Sequence, residues 1–284
     1  MGALGQRMKS HMELKGLSPR TIQVYLQQMS RFVQHVGHGP ARMDSEEIRS
    51  YLHHLLTERQ ASQATMSQAY SALRLFYEQI LGKAWEERTI PRSKQRRKLP
   101  VVLSPSEIES LFAATRRLKY RALFMAIYSG GLRVNEATHL QLADIDSQRM
   151  LIRVRQGKGH KDRYTLLSKR ALATLREYWR HARPETWLFP GLRVTGPLRT
   201  ATVQRTFKGT VKAAGINKAA TPHTLRHSFA THLLEAGVSL HHIQRLLGHR
   251  QLSTTAVYLH LTNGDLSRIT NPMDQWPALD SSTS

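Results

Sequence analysis

Apolar residues recur at steps of three and four along the first eighty positions, the spacing of one buried helix face. Ile22, Leu26, Met29 and Val33 form one stripe, opened by Ser18 as a cap and Pro19 in the first helical position. Ile48, Leu52, Leu55 and Leu56 form a second, starting at Asp44 or Ser45, and Met66, Ala69, Leu73 and Phe76 form a third over 63–80, with Gly82 near its end. The period is lost over 90–100, where two prolines and five cations predict an extended linker. Ser104-Pro105-Ser106-Glu107 then reads as a capping box. Helices are expected at 119–128, running into Ser129-Gly130-Gly131, and from about Val134. Two β-favouring runs, 151–155 and 163–167, flank a turn rich in glycine and lysine and predict a hairpin. Helices follow at 169–182, 200–214, 222–236, 239–247 and 253–260. The fold class is therefore mainly α with a small β-hairpin (α+β). It divides into a helical domain at 1–84, a basic linker at 85–103, a second domain at 104–271 and a flexible tail at 272–284.

Composition narrows the partner. A 40% hydrophobic and 22% charged chain of 284 residues is that of a folded protein. Lys and Arg number 42 against 20 acidic residues, a net charge of +22. Such an excess repels itself unless a polyanion is present, which makes nucleic acid the leading partner over a basic surface kept for solubility. In that setting the linker is expected to cross the sugar-phosphate backbone, and Arg20, Arg31, Arg59 and Arg74 are candidate phosphate contacts on solvated faces. The absence of cysteine excludes disulfides, a thiolate nucleophile and a Cys-based zinc site. No apolar run has transmembrane length and the N-terminus lacks a signal core, so a cytoplasmic protein without a membrane partner is expected.

The candidate chemistry lies in four separated runs. Gly248–His260 holds His249 and Tyr258 nine residues apart, with Thr254 and Thr255 just before the tyrosine. His223-Thr224-Leu225-Arg226-His227 puts His223 and Arg226 on one side of a helix start. Arg133 follows two glycines and precedes a helix, and Lys158 stands between Gly157 and Gly159 at the hairpin tip, with Lys161 and Arg163 as rivals. Tyrosine is a poor nucleophile at its ordinary pKa of about 10. Attack on a phosphodiester needs cationic donors aimed at the non-bridging oxygens and an acid for the leaving oxygen. Arginine suits the first task through its planar fork, and lysine or histidine suits the second. Taken singly, each has a plainer reading: Arg133 pairs with Glu136, Lys158 is a turn lysine and Tyr258 is a buried aromatic. Histidines elsewhere lack the company a metal site needs.

Together these runs resemble the tyrosine recombinase, or phage-integrase-type, family, and the look is closest to its Xer-type and integron-type members. GLRVNE at 131–136, RVRQGKGHKDR at 153–163, HTLRH at 223–227 and LLGHRQLSTTAVYLH at 246–260 are similar to its four boxes, in order. The resemblance implies an N-terminal core-site-binding, SAM-like domain and a C-terminal catalytic domain closing on DNA as a C-shaped clamp. It implies that Tyr258 attacks the scissile phosphate to form a 3′-phosphotyrosyl bond and free a 5′-hydroxyl. Arg133 and Arg226 clamp the phosphate, Lys158 protonates the leaving oxygen, His223 assists proton transfer at the tyrosine and His249 hydrogen-bonds the phosphate, while Glu136 is a structural support. It further implies no cofactor, metal or ATP, and a homotetramer on two DNA sites, of this chain alone or with a paralogous recombinase, near the nucleoid. Leu266 and Ile269 are then the candidate anchors on a neighbouring subunit. A type IB topoisomerase-like enzyme and a non-catalytic DNA-binding protein are the alternative readings.

Overall fold

The computed structural model describes residues 2–92, 99–155, 162–192, 196–249 and 251–260. Lys158, Lys161, Leu266, Ile269 and residues 93–98 of the basic linker lie outside them. The chain divides into two compact units, Met1–Arg97 and Lys98–Ser284.

The first unit is helical. It comprises α1 (Ala3–Leu14), α2 (Pro19–Val36), α3 (Ser45–Thr57) and α4 (Gln63–Leu75), the last continuing into a π-helical turn, Phe76–Ile80. The Ser18 hydroxyl caps α2 by accepting from the Thr21 N–H, and Asp44 and Glu47 close a reciprocal box at the start of α3. Ile22, Met29, Ile48, Leu52, Leu55, Met66, Ala69, Leu73 and Phe76 are buried as their spacing predicts. Leu56 departs from it: 53% exposed, it sits about 100° around the helix from Leu55 and cannot share its inward face. Beyond α4 the chain stays with this unit further than the loss of periodicity suggests. The Trp85 indole N–H donates to the Tyr70 hydroxyl at 2.9 Å, and Ile90 is buried in the helical core. Arg74, a partly exposed side chain, pairs with Glu78 and Glu87.

The second unit is built around α6 (Leu118–Gly130), most of whose residues are buried, and it packs against α8 (Lys169–Ala182) and α10 (Pro222–Glu235). α5 (Pro105–Ala114) opens the unit with the expected Ser104–Glu107 box, and α7 (Val134–Thr138), α9 (Thr200–Ala213), α11 (Leu240–Leu247) and α12 (Leu252–Thr255) complete the helices. The hairpin strands β2 (Leu151–Val154) and β3 (Arg163–Leu166) pair antiparallel, and a two-residue strand not foreseen in the sequence, β1 (Ile145–Asp146), extends the sheet in the order β1-β2-β3. Ile152, Val154 and Thr165 face the core while Tyr164 and Leu166 face outward. The last expected helix, 253–260, is shorter: α12 ends at Thr255, and Tyr258 lies in a 3-10 turn, Ala256–His260. No helix among the described residues is long and apolar enough to cross a membrane.

One glycine sets the path into the site. Gly131 ends α6 in the left-handed region at φ 56°, and an added Cβ would stand 2.5 Å from Cδ1 of Phe229 on α10. The reversal lets Arg133 leave α6 and become the residue that opens α7. Gly131→Ala combines backbone strain with a clash in packed core, and is expected to cost about 2–4 kcal/mol. Thermal denaturation should show a lower midpoint for the second unit, while a wild-type midpoint would refute this account.

Candidate active site

The site grows from one carboxylate. Glu136, on the first turn of α7, points back under Arg133 and into the space between β3 and α10. Its Oε2 accepts from the Arg133 backbone N–H at 2.8 Å and its Oε1 from Arg133 Nη1 at 2.7 Å. Arg163, the first residue of β3, grips both oxygens at 2.9 and 2.7 Å, and Arg226 Nη1 lies 3.7 Å from Oε2. The Glu136 side chain is 9% exposed. Burial alone would raise its carboxyl, but the hydrogen bond and charge of Arg163, aided by Arg133, hold it at about 2. Three guanidinium groups thus surround one anion, and the surplus is positive, as a phosphate site requires.

Arg226 is buried in α10 and holds two chain segments at once. Nη1 donates to the Gly131 carbonyl at 2.6 Å and Nη2 to the Leu247 carbonyl at 2.7 Å. Burial first, then the charge of Arg133, lower its pKa to about 10, so it stays cationic at neutral pH. Nη2 also lies 3.0 Å from His249 Nε2. Guanidinium only donates, so Nε2 is the acceptor and the His249 proton sits on Nδ1, which donates to the Thr255 hydroxyl at 2.9 Å. Burial, with Arg226 and Arg133, lowers the His249 imidazole to about 4, consistent with that neutral form. His249 enters this position because α11 ends at Gly248 in the left-handed conformation.

Tyr258 closes the arrangement. Its ring is 2% exposed, packed with Phe229, Ala230, Ile243 and Leu247, and its hydroxyl lies 3.0 Å from His227 Nδ1. Burial raises the phenol pKa, and the charges of Arg226 and Arg133 act against it. His227 sits one turn after His223 with ring centroids 6.2 Å apart. Burial, His223 and Arg226 lower the His227 imidazole to about 4. His223 remains open to solvent at the first turn of α10, and partial desolvation with the charges of Arg226 and Arg133 lowers its imidazole too.

Arg133, His223, Arg226, His249 and Tyr258 therefore share one region of the fold, whereas Lys158 falls outside the described residues. Arg163 is corrected: a rival to Lys158 in sequence, it is instead bonded to Glu136 and, through Nε, to the Leu246 carbonyl at 3.0 Å. His227 is a site residue that the spacing argument passed over. It stands in the HTLRH run, but only contact across 31 positions distinguishes it from any other helical histidine. Thr255, fully buried beneath His249, is a second. Among the described residues no group of three or more His, Asp or Glu could hold a metal ion.

Residues 101–264 match the phage integrase family, and residues 4–87 match the phage integrase N-terminal SAM-like domain. The chain is 41% identical over 278 residues to the protein y4qK of Sinorhizobium fredii, covering 98% of this chain and 90% of that one. It is 35% identical to the tyrosine recombinase XerD of Caulobacter vibrioides, with 84% of each chain covered. In fold it is similar to a lambda integrase dimer bound to a COC′ core site, at a TM-score of 0.74 and 20% identity over 91% of this chain and 94% of that one. This chain belongs to the phage integrase family of tyrosine recombinases, site-specific enzymes that cut and rejoin DNA.

The two depressed histidines carry a stability signature. An unfolded chain takes protons on His227 and His249 near 6.5, the folded one only near 4, so their contribution is complete above 6.5 and is lost as pH falls toward 4. Because solvent screens both rings in part, each contributes less than the ~1.4 kcal/mol per pH unit of a fully shielded proton. Urea unfolding should show stability flat above pH 6.5 and falling below it, with a shallower fall in His249→Gln. An identical slope in the variant would contradict the assignment.

Proposed function

We propose that Tyr258 is the nucleophile of a strand-exchange reaction in which six side chains act on one phosphodiester. Tyr258 attacks the scissile phosphorus, its oxygen forming a 3′-phosphotyrosyl bond as the bond to the 5′-oxygen breaks. Arg133 and Arg226 hold the non-bridging oxygens, where negative charge grows in the transition state. Lys158 protonates the leaving 5′-oxygen, His223 assists proton transfer at the tyrosine, and His249 hydrogen-bonds the phosphate. Attack by the 5′-hydroxyl of a partner strand reverses the chemistry and reseals the DNA, so the bond energy is conserved in the protein–DNA link. Neither ATP nor a metal enters this scheme, and guanidinium and ammonium groups supply the positive charge.

The observation that carries this reading is the convergence on Glu136 and its neighbours of Arg133, Arg226 and His249, with Tyr258 one hydrogen bond away on His227. Residues 1–84 act as the core-site-binding domain, 85–103 as the basic strap along the backbone and 104–271 as the catalytic domain. Recombination joins two duplexes, so four protomers, of this chain alone or with a paralogue, assemble on two sites, with Leu266 and Ile269 as anchors. The enzyme works on double-stranded DNA in the cytoplasm, at the nucleoid.

The test is covalent trapping on DNA. Wild-type protein incubated with sheared DNA of the source genome and quenched in detergent should leave protein-linked fragments whose sequences define the site. Tyr258→Phe should bind the recovered duplex and form no adduct; an adduct from that variant would refute the nucleophile. Lys158→Ala should slow adduct formation by roughly 10²- to 10⁴-fold, the range of a lost general acid, with binding retained. Duplex binding should also weaken linearly in log–log plots against salt, since several phosphate charges are neutralised; a flat response would refute backbone contact as its basis.

A further inference from the structure

We propose that His227 is a seventh catalytic residue, the group that accepts the phenolic proton of Tyr258 as the phosphotyrosyl bond forms. The inference rests on Tyr258 being the nucleophile and refines it by naming where the proton goes.

The geometry assigns the contact to His227 and not to His223. Nδ1 of His227 is 3.0 Å from the Tyr258 oxygen, hydrogen-bonding distance for direct transfer. Among the described residues this is the hydrogen bond of that hydroxyl. His223 faces solvent at the helix start, while His227 lies one turn deeper, its ring 5.8 Å from the tyrosine ring. The titratable and charged groups facing His227 are His223 and Arg226 from its own helix, His249 from the turn after α11, and Tyr258. None of these supplies a negative charge to hold an extra proton in the resting site, so the imidazole waits neutral, able to take one. In a buried pocket water cannot readily serve in its place, and a phenol raised by burial needs a base at the moment of attack.

The step balances. The Tyr258 O–H bond breaks and its proton goes to Nδ1, while the electron pair left on oxygen forms the bond to phosphorus. The P–O5′ bond breaks, and the leaving oxygen takes a proton from Lys158. The incoming phosphate adds negative charge beside His227, which steadies the imidazolium until resealing returns its proton to the phenol. His249 then serves the phosphate oxygens, while His227 takes the phenolic proton directly and His223, its ring 6.2 Å away and open to solvent, assists the transfer from one turn off.

Single-turnover adduct formation on the recovered duplex tests this with His227→Gln, which keeps a polar group of similar reach but no base, and with His227→Ala. Both should bind DNA as wild type does and form adduct at least roughly 10²-fold more slowly. The residual rate of His227→Gln should rise steadily with pH, as solvent takes over deprotonation, while the wild-type rate should stay flat. A duplex with sulfur replacing the bridging 5′-oxygen needs no acid for departure. It should restore Lys158→Ala and leave His227→Gln slow. Unchanged or faster cleavage would make the hydrogen bond a latch on the resting tyrosine and overturn the proposal. So would rescue by the sulfur substrate, or a loss of DNA binding in step with cleavage. Tyr258→Phe run alongside separates the two levels: no adduct there, with normal rates for His227→Gln, sinks this inference alone, whereas an adduct from Tyr258→Phe sinks the nucleophile assignment with it.

Discussion

A carboxylate held among three guanidinium groups organises the catalytic unit. Glu136 is almost out of water, and an anion so placed is costly unless its oxygens are fully bonded. Arg163 supplies two bonds, Arg133 two more and Arg226 a longer-range charge. Arg163 brings with it the start of β3 and, through the Leu246 carbonyl, the end of α11. Arg133 brings the exit of α6, and Arg226 the second turn of α10. Four elements distant in the chain are thus registered against one another by a single buried charge. The same attraction counters the mutual repulsion of three cations, which must stay close together if a phosphate is to be held.

Main-chain geometry makes this cluster possible. α6 must stop where its last turn meets α10, and Gly131 provides the left-handed reversal with no side chain in the way of Phe229. Gly248 does the same after α11, where a Cβ would press on the Arg163 side chain at 2.8 Å. The two carbonyls that Arg226 bonds, at Gly131 and Leu247, lie at these two helix ends, where backbone oxygens have no partner within the helix. The guanidinium therefore stabilises the ends of α6 and α11, and those two bonds fix its orientation.

The proposed nucleophile is held on different terms. Tyr258 is anchored by apolar packing of its ring and by one hydrogen bond to His227, and it lies in a 3-10 turn with poorer hydrogen-bond geometry than an α-helix. Its arginine surroundings are fixed by many bonds, the tyrosine by few. A reaction in which the phenol must leave, stay covalently bound to DNA and return suits such an asymmetry: a rigid electrostatic cradle and a more lightly held attacking group.

The sequence by itself determined most of the helices and the two hairpin strands, because each depends on neighbours within a few residues. Ser18, Asp44 and Ser104 cap where their side chains can reach the next turn, and His223 and Arg226 share a side because three residues make most of a turn. It also carried the six candidate residues, since their order along the chain resembles that of a known family. Tertiary structure alone decided the joint geometry of Arg133, His223, Arg226, His249 and Tyr258. It turned Arg163 from a rival of Lys158 into a partner of Glu136, put Leu56 outside, folded Trp85 and Ile90 into the helical core and brought His227 to Tyr258. These outcomes depend on which surfaces meet after the chain has crossed itself. A buried ion pair or a hydrogen bond across thirty residues leaves no periodic trace in the order of amino acids.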